Sequence, residues 1–323
     1  FSFTVEVTDF FGATASRAYT LNVLTAPCAP GRSGMVGVAQ TDIPLSTSNI
    51  VSAHGIDVDE DPAGWAYIIG LGELQRIRKD GSASEDLEAL LGLAIGDLGY
   101  EVHVSGPSVY IVDNSQSTTS RRIQRITNDG GQTFAVVDMV TFASAPSDIR
   151  GIEVEGDQLY FLTHGSANTQ VFRADISGTL PVVPTLLGTI ATLASCSGLA
   201  LDRQFFYTAC DSFSVSPDAL VRIERTTLTP TLIIDDAPSL DISSTYNAVE
   251  QQDLDDDGVA DVLWVHGFND KAYVCSPATA TSETVFFNAF GEGADSEAGL
   301  ALDATAGALY LYDENPDALF RFE

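Results

Sequence analysis

A segment of the form apolar-x-Arg-apolar returns along the chain at Leu74–Ile77, Ile123–Ile126, Val171–Ala174, Leu220–Ile223 and Leu319–Phe322. Lys271–Val274 fills the remaining slot, with Tyr273 in the place of the arginine. Positions 76, 125, 173, 222, 273 and 321 are 48 to 51 residues apart. Upstream of each lies an aromatic strand centred on Tyr67, Tyr110, Tyr160, Tyr207, Trp264 or Tyr310. Before that comes a short alternating strand: Gly55–Val58, Val102–Val104, Gly151–Val154, Gly198–Leu201 and Gly299–Leu302, with Val249 marking a degenerate copy. Thr133–Val140 and Thr231–Ile234 supply a fourth strand per unit. Four short strands repeated six times at this period predict an all-β chain folded as a six-bladed β-propeller. Solenoid repeats are shorter, and a sandwich has no such columns.

The sixth copy ends at Glu323, just after its third strand. Its fourth strand is expected from Gly34–Ala39, so that an N-terminal strand closes the ring and removes two exposed edges. The propeller then spans residues 34–323. Residues 24–33, with two prolines and a glycine, read as a linker. Residues 1–23 (FSFTVEVTDFFGATASRAYTLNV) read as two alternating strands around a glycine-containing turn. Two strands do not make a stable domain.

Those 23 residues resemble the last hairpin of a bacterial Ig-like (cadherin-like) domain. The resemblance implies that the chain is a piece of a longer surface protein. The wording Val109-Tyr-Ile-Val-Asp113, then Arg122-Ile-Gln-Arg-Ile126, then Asp129-Gly130 resembles the NHL/YWTD-like six-bladed propellers. It covers roughly residues 34–323 and implies architecture only, because that fold hosts binding modules and hydrolases alike. The arginine column is expected to be structural, its stems covering apolar blade faces while the guanidiniums bond neighbouring carboxylates.

The chain carries 45 Asp and Glu against 15 Lys and Arg, a net charge of −30. That charge repels phosphate backbones and anionic membranes, which argues against a nucleic-acid partner. No run reaches the roughly 18 apolar residues of a membrane span. Only Lys79 and Lys271 are lysines. The four cysteines, Cys28, Cys196, Cys210 and Cys275, form no CxxC. An even count in such a chain favours disulfides and an extracellular or cell-surface location. If Arg203-Gln204 is the turn of a hairpin, Cys196 and Cys210 fall within one residue of direct opposition, as a cross-strand bridge needs. Cys28–Cys275 follows only by exclusion.

The sharpest local signal is Asp253-Leu-Asp255-Asp-Asp257-Gly258-Val259-Ala-Asp261. Alternating carboxylates converge on one cation, Gly258 permits the bend, and Val259 offers its carbonyl, which predicts a Ca²⁺ site. Position 12 is Trp264 rather than glutamate, so the loop resembles the short DxDxDGxxD loops of FG-GAP and thrombospondin-type repeats. Asp57-Val-Asp59-Glu60-Asp61-Pro62 occupies the equivalent turn of the first copy, with Pro62 where glycine is wanted. A solvated acidic turn is the plainer reading there, and a second ion the sharper one. His54, His103, His164 and His266 come from different copies and have no metal-binding spacing, although a propeller axis brings different copies together. No nucleophile elbow, P-loop or dinucleotide turn is present.

The second-to-third-strand connections Asn114–Arg122 and Asp211–Asp218 are the longest and mark the expected partner face, for a protein or glycan ligand or neighbouring subunits. The leading expectation is a non-enzymatic, calcium-stabilised module of a large secreted or cell-surface protein, serving adhesion, display or assembly. A propeller hydrolase of lactonase or glycosidase type with a channel metal is the alternative, and a subunit of an extracellular fibre is a third.

Overall fold

A computed structural model of the chain describes residues 2–8, 14–20, 40–43, 53–61, 63–70, 73–92, 99–114, 121–128, 134–142, 146, 148–213, 216–235, 249–267, 271–275, 277, 285–288, 299–314 and 317–322. Apart from the five-residue helix Leu87–Leu91, the named elements are strands. The first four-stranded sheet is built from Ala53–Val58, Trp65–Gly70, Glu73–Arg78 and Ser84–Asp86. The second follows with Gly99–Ser105, Ser108–Asp113, Arg122–Asn128 and Phe134–Asp138. Asp148–Glu155, Gln158–His164, Thr169–Asp175 and Thr185–Ile190 form the third, and Leu193–Leu201, Phe205–Phe213, Ser216–Glu224 and Pro230–Asp235 the fourth. The fifth has Val249–Gln252, Val262–Gly267, Lys271–Cys275 and Val285–Asn288. In the sixth, Gly299–Asp303, Ala308–Glu314 and Asp317–Phe322 are joined by Gln40–Ile43.

Each sheet is an antiparallel meander, and the first strands of successive sheets neighbour one another in cyclic order, the sixth returning to the first. The chain is a β-propeller. The closing strand is Gln40–Ile43, paired from Leu319↔Ile43 to Phe322↔Gln40. It lies just beyond the expected Gly34–Ala39, which is outside the described residues. The apolar Ile43 explains the choice, since it is buried between the sixth and first sheets. Ser2–Thr8 and Thr14–Thr20 pair as a separate antiparallel hairpin. The linker 24–33, with Cys28, is outside the described residues.

Every sheet carries one cross-strand row. Tyr67 pairs with Arg76, Tyr110 with Arg125, Tyr160 with Arg173, Tyr207 with Arg222 and Tyr310 with Arg321. Trp264 pairs with Val274, so the fifth copy's equivalent of the arginine is Val274 and not Tyr273. The expected alignment slipped by one because Tyr273 is the bulkier residue. Arg76 bonds Glu85 through Nε at 2.9 Å, and its guanidinium lies 4.1 Å from the Trp65 ring. Arg222 lies 5.0 Å from Phe205 and donates to the Pro277 carbonyl at 2.9 Å. Arg76, Arg222 and Arg321 thus lie over aromatic rings, with a carboxylate as partner in the first copy.

The core is a set of intersheet layers. Tyr67, Ile69 and Leu74 meet Val102, Ile111 and Ile126 between the first two sheets. Tyr160, Leu162 and Val171 meet Phe206 and Val221 between the third and fourth. Each fully buried aliphatic side chain contributes about 1.5–3 kcal/mol relative to exposure. Near the axis the inner strands approach so closely that only glycine fits at two points. A Cβ on Gly151 would stand 2.8 Å from the Leu199 Cβ, and one on Gly299 would stand 2.5 Å from the Ile56 Cγ2.

Cys196 and Cys210 are directly opposed and disulfide-bonded. The one-residue offset expected from the turn is absorbed by a register shift between Ser197 and Ala200, where Gly198 takes φ 67°. The side chain of Cys275 is outside the described residues.

Candidate functional site

The fifth sheet's first turn folds the acidic run into a compact loop. Asp253 accepts from the Gly258 N–H at 2.6 Å and Asp261 from the Leu254 N–H at 2.9 Å. Asp255 accepts from the Asp257 N–H at 3.2 Å, and Asp257 from the Val259 N–H at 2.8 Å. Gly258 sits at φ 81°, where a side chain would be strained, which is the physical reason for glycine here. Carboxylate oxygens of Asp253, Asp255 and Asp261 come within 4.8 Å of one another, the one such group among the described residues. Asp257 and Val259 lie in the same loop but outside that trio. One Asp253 oxygen, Oδ1, is buried without a hydrogen-bond partner. Local desolvation, then the charges of Asp257 and Asp261, push the exposed Asp255 above the ordinary carboxylate value. The repulsion is what a cation would relieve.

The loop is not free-standing. Asp202, buried at the first turn of the fourth sheet, accepts from Ala260 N–H at 2.9 Å with the oxygen that also takes the Tyr207 hydroxyl at 2.6 Å. Its other oxygen accepts from Gln204 and Phe205, both at 2.6 Å. Arg203 N–H donates to the Gly258 carbonyl at 3.0 Å. Burial first, and then the bond to Asp202, raise the Tyr207 hydroxyl above its ordinary value. A peripheral acidic loop is thereby fastened to the neighbouring blade.

The equivalent turn of the first sheet is solved differently. Lys79, 2% exposed, donates to the carbonyls of Asp59 and Asp61, the latter at 3.1 Å. Its Nζ also lies 2.6 Å from Asp303 Oδ2 of the sixth sheet and 3.5 Å from Asp59 Oδ1. The ammonium occupies the middle of the turn where a second ion was the sharper expectation. Sequence reading missed this residue, because nothing local to Lys79 signals a partner 224 positions away.

At the axis the inner strands present a second group. The row opposite the aromatic column reads Asp57, His103, Glu153, Ala200, Glu250 and Ala301. Glu101 adds to it from the row in which Gly55, Gly151 and Gly299 stand. Asp57, Glu101, His103, Glu153 and Glu250 line a cavity of about 20 Å³ together with His54, Ile152, Leu199 and Leu300, room for about one water molecule. His103 Nδ1 is 3.3 Å from Asp57 and Nε2 is 3.5 Å from Glu153. Burial raises Glu101 and Glu250 well above the usual carboxylate value, helped by the other axial acids. Burial also lifts Glu153 to about 7, against the pull of His103. For His103, burial opposes the charge, but Glu153, Asp57 and Glu101 outweigh it and raise the imidazole to about 9.

The other expected features are scattered. His164 Nδ1 lies 3.3 Å from the Cys196 carbonyl, and the His266 side chain is outside the described residues. Asn114 is buried and exchanges two hydrogen bonds with the Ile149 backbone, at 2.8 and 3.0 Å. Arg122 pairs with Asp113 at 2.7 Å, while 115–120 lie outside the described residues. Asp211–Phe213 and Ser216–Asp218 belong to strands, so the connection expected there is the tip of a long hairpin.

No family model matches the chain, and no curated protein does. Among solved structures it is similar to a PQQ-bound aldose sugar dehydrogenase from Streptomyces coelicolor, with TM-score 0.58 and 14% identity over 92% of this chain and 99% of that one. It is similar to a chain of a nidogen/laminin complex, with TM-score 0.57 and 12% identity over 80% and 88%. A regucalcin described as a calcium-binding protein, from Agrobacterium tumefaciens, gives TM-score 0.53 and 12% identity over 87% and 92%. These likenesses establish the propeller fold, and the proteins that share it include enzymes and non-enzymes.

Proposed function

We propose that the chain is a six-bladed, calcium-stabilised propeller module of a larger secreted or cell-surface protein, acting by binding and assembly rather than by catalysis. The observation that carries the reading is the contrast between rim and axis. The rim holds a preformed carboxylate trio, Asp253, Asp255 and Asp261, fastened to the neighbouring blade through Asp202. The axis is closed down to about 20 Å³ by its own carboxylates and His103. A substrate pocket has roughly 300–1,000 Å³.

Ca²⁺ is held by Asp253, Asp255 and Asp261, with Asp257 and the Val259 carbonyl completing an oxygen shell. The Cys196–Cys210 disulfide supports an oxidising, extracellular location. The hairpin Phe205–Phe213 and Ser216–Glu224, with nine residues in each strand, offers the protein or glycan contact face. Similarity to a chain of a nidogen/laminin complex supports a protein partner. The antiparallel pairing of Ser2–Thr8 with Thr14–Thr20 supports reading these residues as an Ig-like hairpin.

Calorimetric titration with calcium tests the reading. One ion per chain is expected, and none after the double change Asp255→Asn and Asp257→Asn. A wild type that takes up no calcium removes the rim site.

A further inference from the structure

The axial group is built from four inner strands that have no covalent or hydrogen-bonded sheet contact with one another. The first strand brings Asp57 and His54, the second Glu101 and His103, the third Glu153 and Arg150, and the fifth Glu250. The fourth and sixth contribute Leu199 and Leu300, which carry no charge. Four carboxylates and one imidazole share a space that holds about one water. Their charges therefore act on one another with little water between them, while Asp57 also accepts from the N–H groups of Val58 at 2.7 Å and Val104 at 2.6 Å. We propose that this cluster is a pH-sensitive clamp at the centre of the ring, in which protons held among Glu101, Glu153, Glu250 and His103, beside Asp57, hold neighbouring blades together and their loss loosens the propeller.

The geometry gives the direction. His103 lies between Asp57 and Glu153, so the protonated ring bridges three blades, whereas a neutral ring leaves like charges facing across the cavity. Glu250 meets Asp57, Glu153 and Glu101, all acidic, so its ionisation adds only repulsion. A carboxyl whose value is raised by folding costs stability once the unfolded chain ionises. Glu153 therefore withdraws stability as pH rises from its ordinary 4.5 to about 7. His103, raised from 6.5 to about 9, stabilises fully below 6.5 and loses that contribution as pH climbs to about 9. Both act in the same sense, over adjoining intervals that together run from 4.5 to about 9. Arg150 lowers Glu101 but leaves it raised overall.

The test is thermal unfolding between pH 5 and pH 9, with a chelator present so that calcium at the rim plays no part. About 1 M salt shortens the screening length to about 3 Å and suppresses repulsion among surface carboxylates. Wild type is expected to lose roughly 5 °C or more in melting temperature over that interval. Glu250→Gln is expected to melt above wild type at pH 9 while matching it at pH 5. The exposed Asp80→Asn should follow the wild-type slope. If Glu250→Gln does not fold, the wild-type slope stands without any variant. A wild-type melting temperature that is flat or rising over the interval overturns the clamp. A glutamine variant that falls in parallel with wild type also overturns it.

Discussion

The first and fifth sheets place acidic turns at the same position in the repeat and surround them differently. In the first, Lys79 is folded inward, and its ammonium joins two carbonyls of its own turn to Asp303 of the preceding blade. In the fifth, Asp202 of the preceding blade reaches a backbone N–H, and the turn's carboxylates are left facing one another. An aspartate at the preceding blade's turn is common to both, so the interblade latch is one device, with its positive charge built in at Lys79 in the first sheet and, on the proposed calcium site, borrowed in the fifth. A built-in cation is always present and cannot be regulated. A borrowed one makes the junction depend on the medium.

The largest effect expected from this contrast is at Lys79. Lys79→Ala leaves the buried Asp303 and the half-buried Asp59 without their counter-charge, a loss of about 3–5 kcal/mol. It should be read as a fall in melting temperature of roughly 6–10 °C, unaffected by chelator. An unchanged melting temperature would break the comparison at its root. Next comes calcium itself. If the fifth-sheet site forms only in the folded chain, a hundredfold excess over its dissociation constant stabilises by about 2.7 kcal/mol. Chelation should remove that gain and magnesium should restore little of it, because the loop offers many oxygens in a loose shell. Identical melting in chelator and in millimolar calcium would leave an acidic turn and no more.

Asp202→Asn sharpens the coupling between the two halves of the latch. It exchanges the oxygen facing Ala260 for a donor, at a cost of about 1–3 kcal/mol. Calcium should bind roughly threefold to tenfold more weakly, since each tenfold corresponds to about 1.4 kcal/mol. Equal calcium affinity in the variant would show that the loop folds independently of its neighbour. The smallest effect belongs to Asp61→Asn. Lys79 contacts the Asp61 carbonyl, and the exposed carboxylate takes only the Ala63 N–H at 3.0 Å. A change within about 0.5 kcal/mol is expected there.

The sequence carries the blade pattern because each blade repeats one cross-strand row, and a row such as Tyr67–Arg76 recurs wherever Tyr and Arg recur. It carries the fifth-sheet loop because all its carboxylates are contiguous. Lys79 and the axial cluster are illegible for a shared reason. Their members sit in equivalent positions of different copies but differ in kind: Asp57, His103, Glu153, Ala200 and Glu250 do not look like a column. Glu101 stands where its sister strands have glycine, and a lone departure from a pattern is easily read as drift. Register in the fifth copy failed for a related reason, with Tyr273 drawing the alignment one residue from Val274.

The closing strand has a consequence for the order of assembly. Gln40–Ile43 pairs with Asp317–Phe322, residues from opposite ends of the described propeller. The other five sheets are each complete within about fifty residues, so their meanders form from local contacts while the chain is still being made. The sixth cannot acquire its outer edge until the last strand has been synthesised. Contacts of such long sequence separation are the slowest to form. Until then the early strand waits with unpaired amides and carbonyls, the state in which a neighbouring chain competes for it. The ring's final seam is therefore a step in time as much as a place in the fold, and a second copy at high concentration is its natural rival.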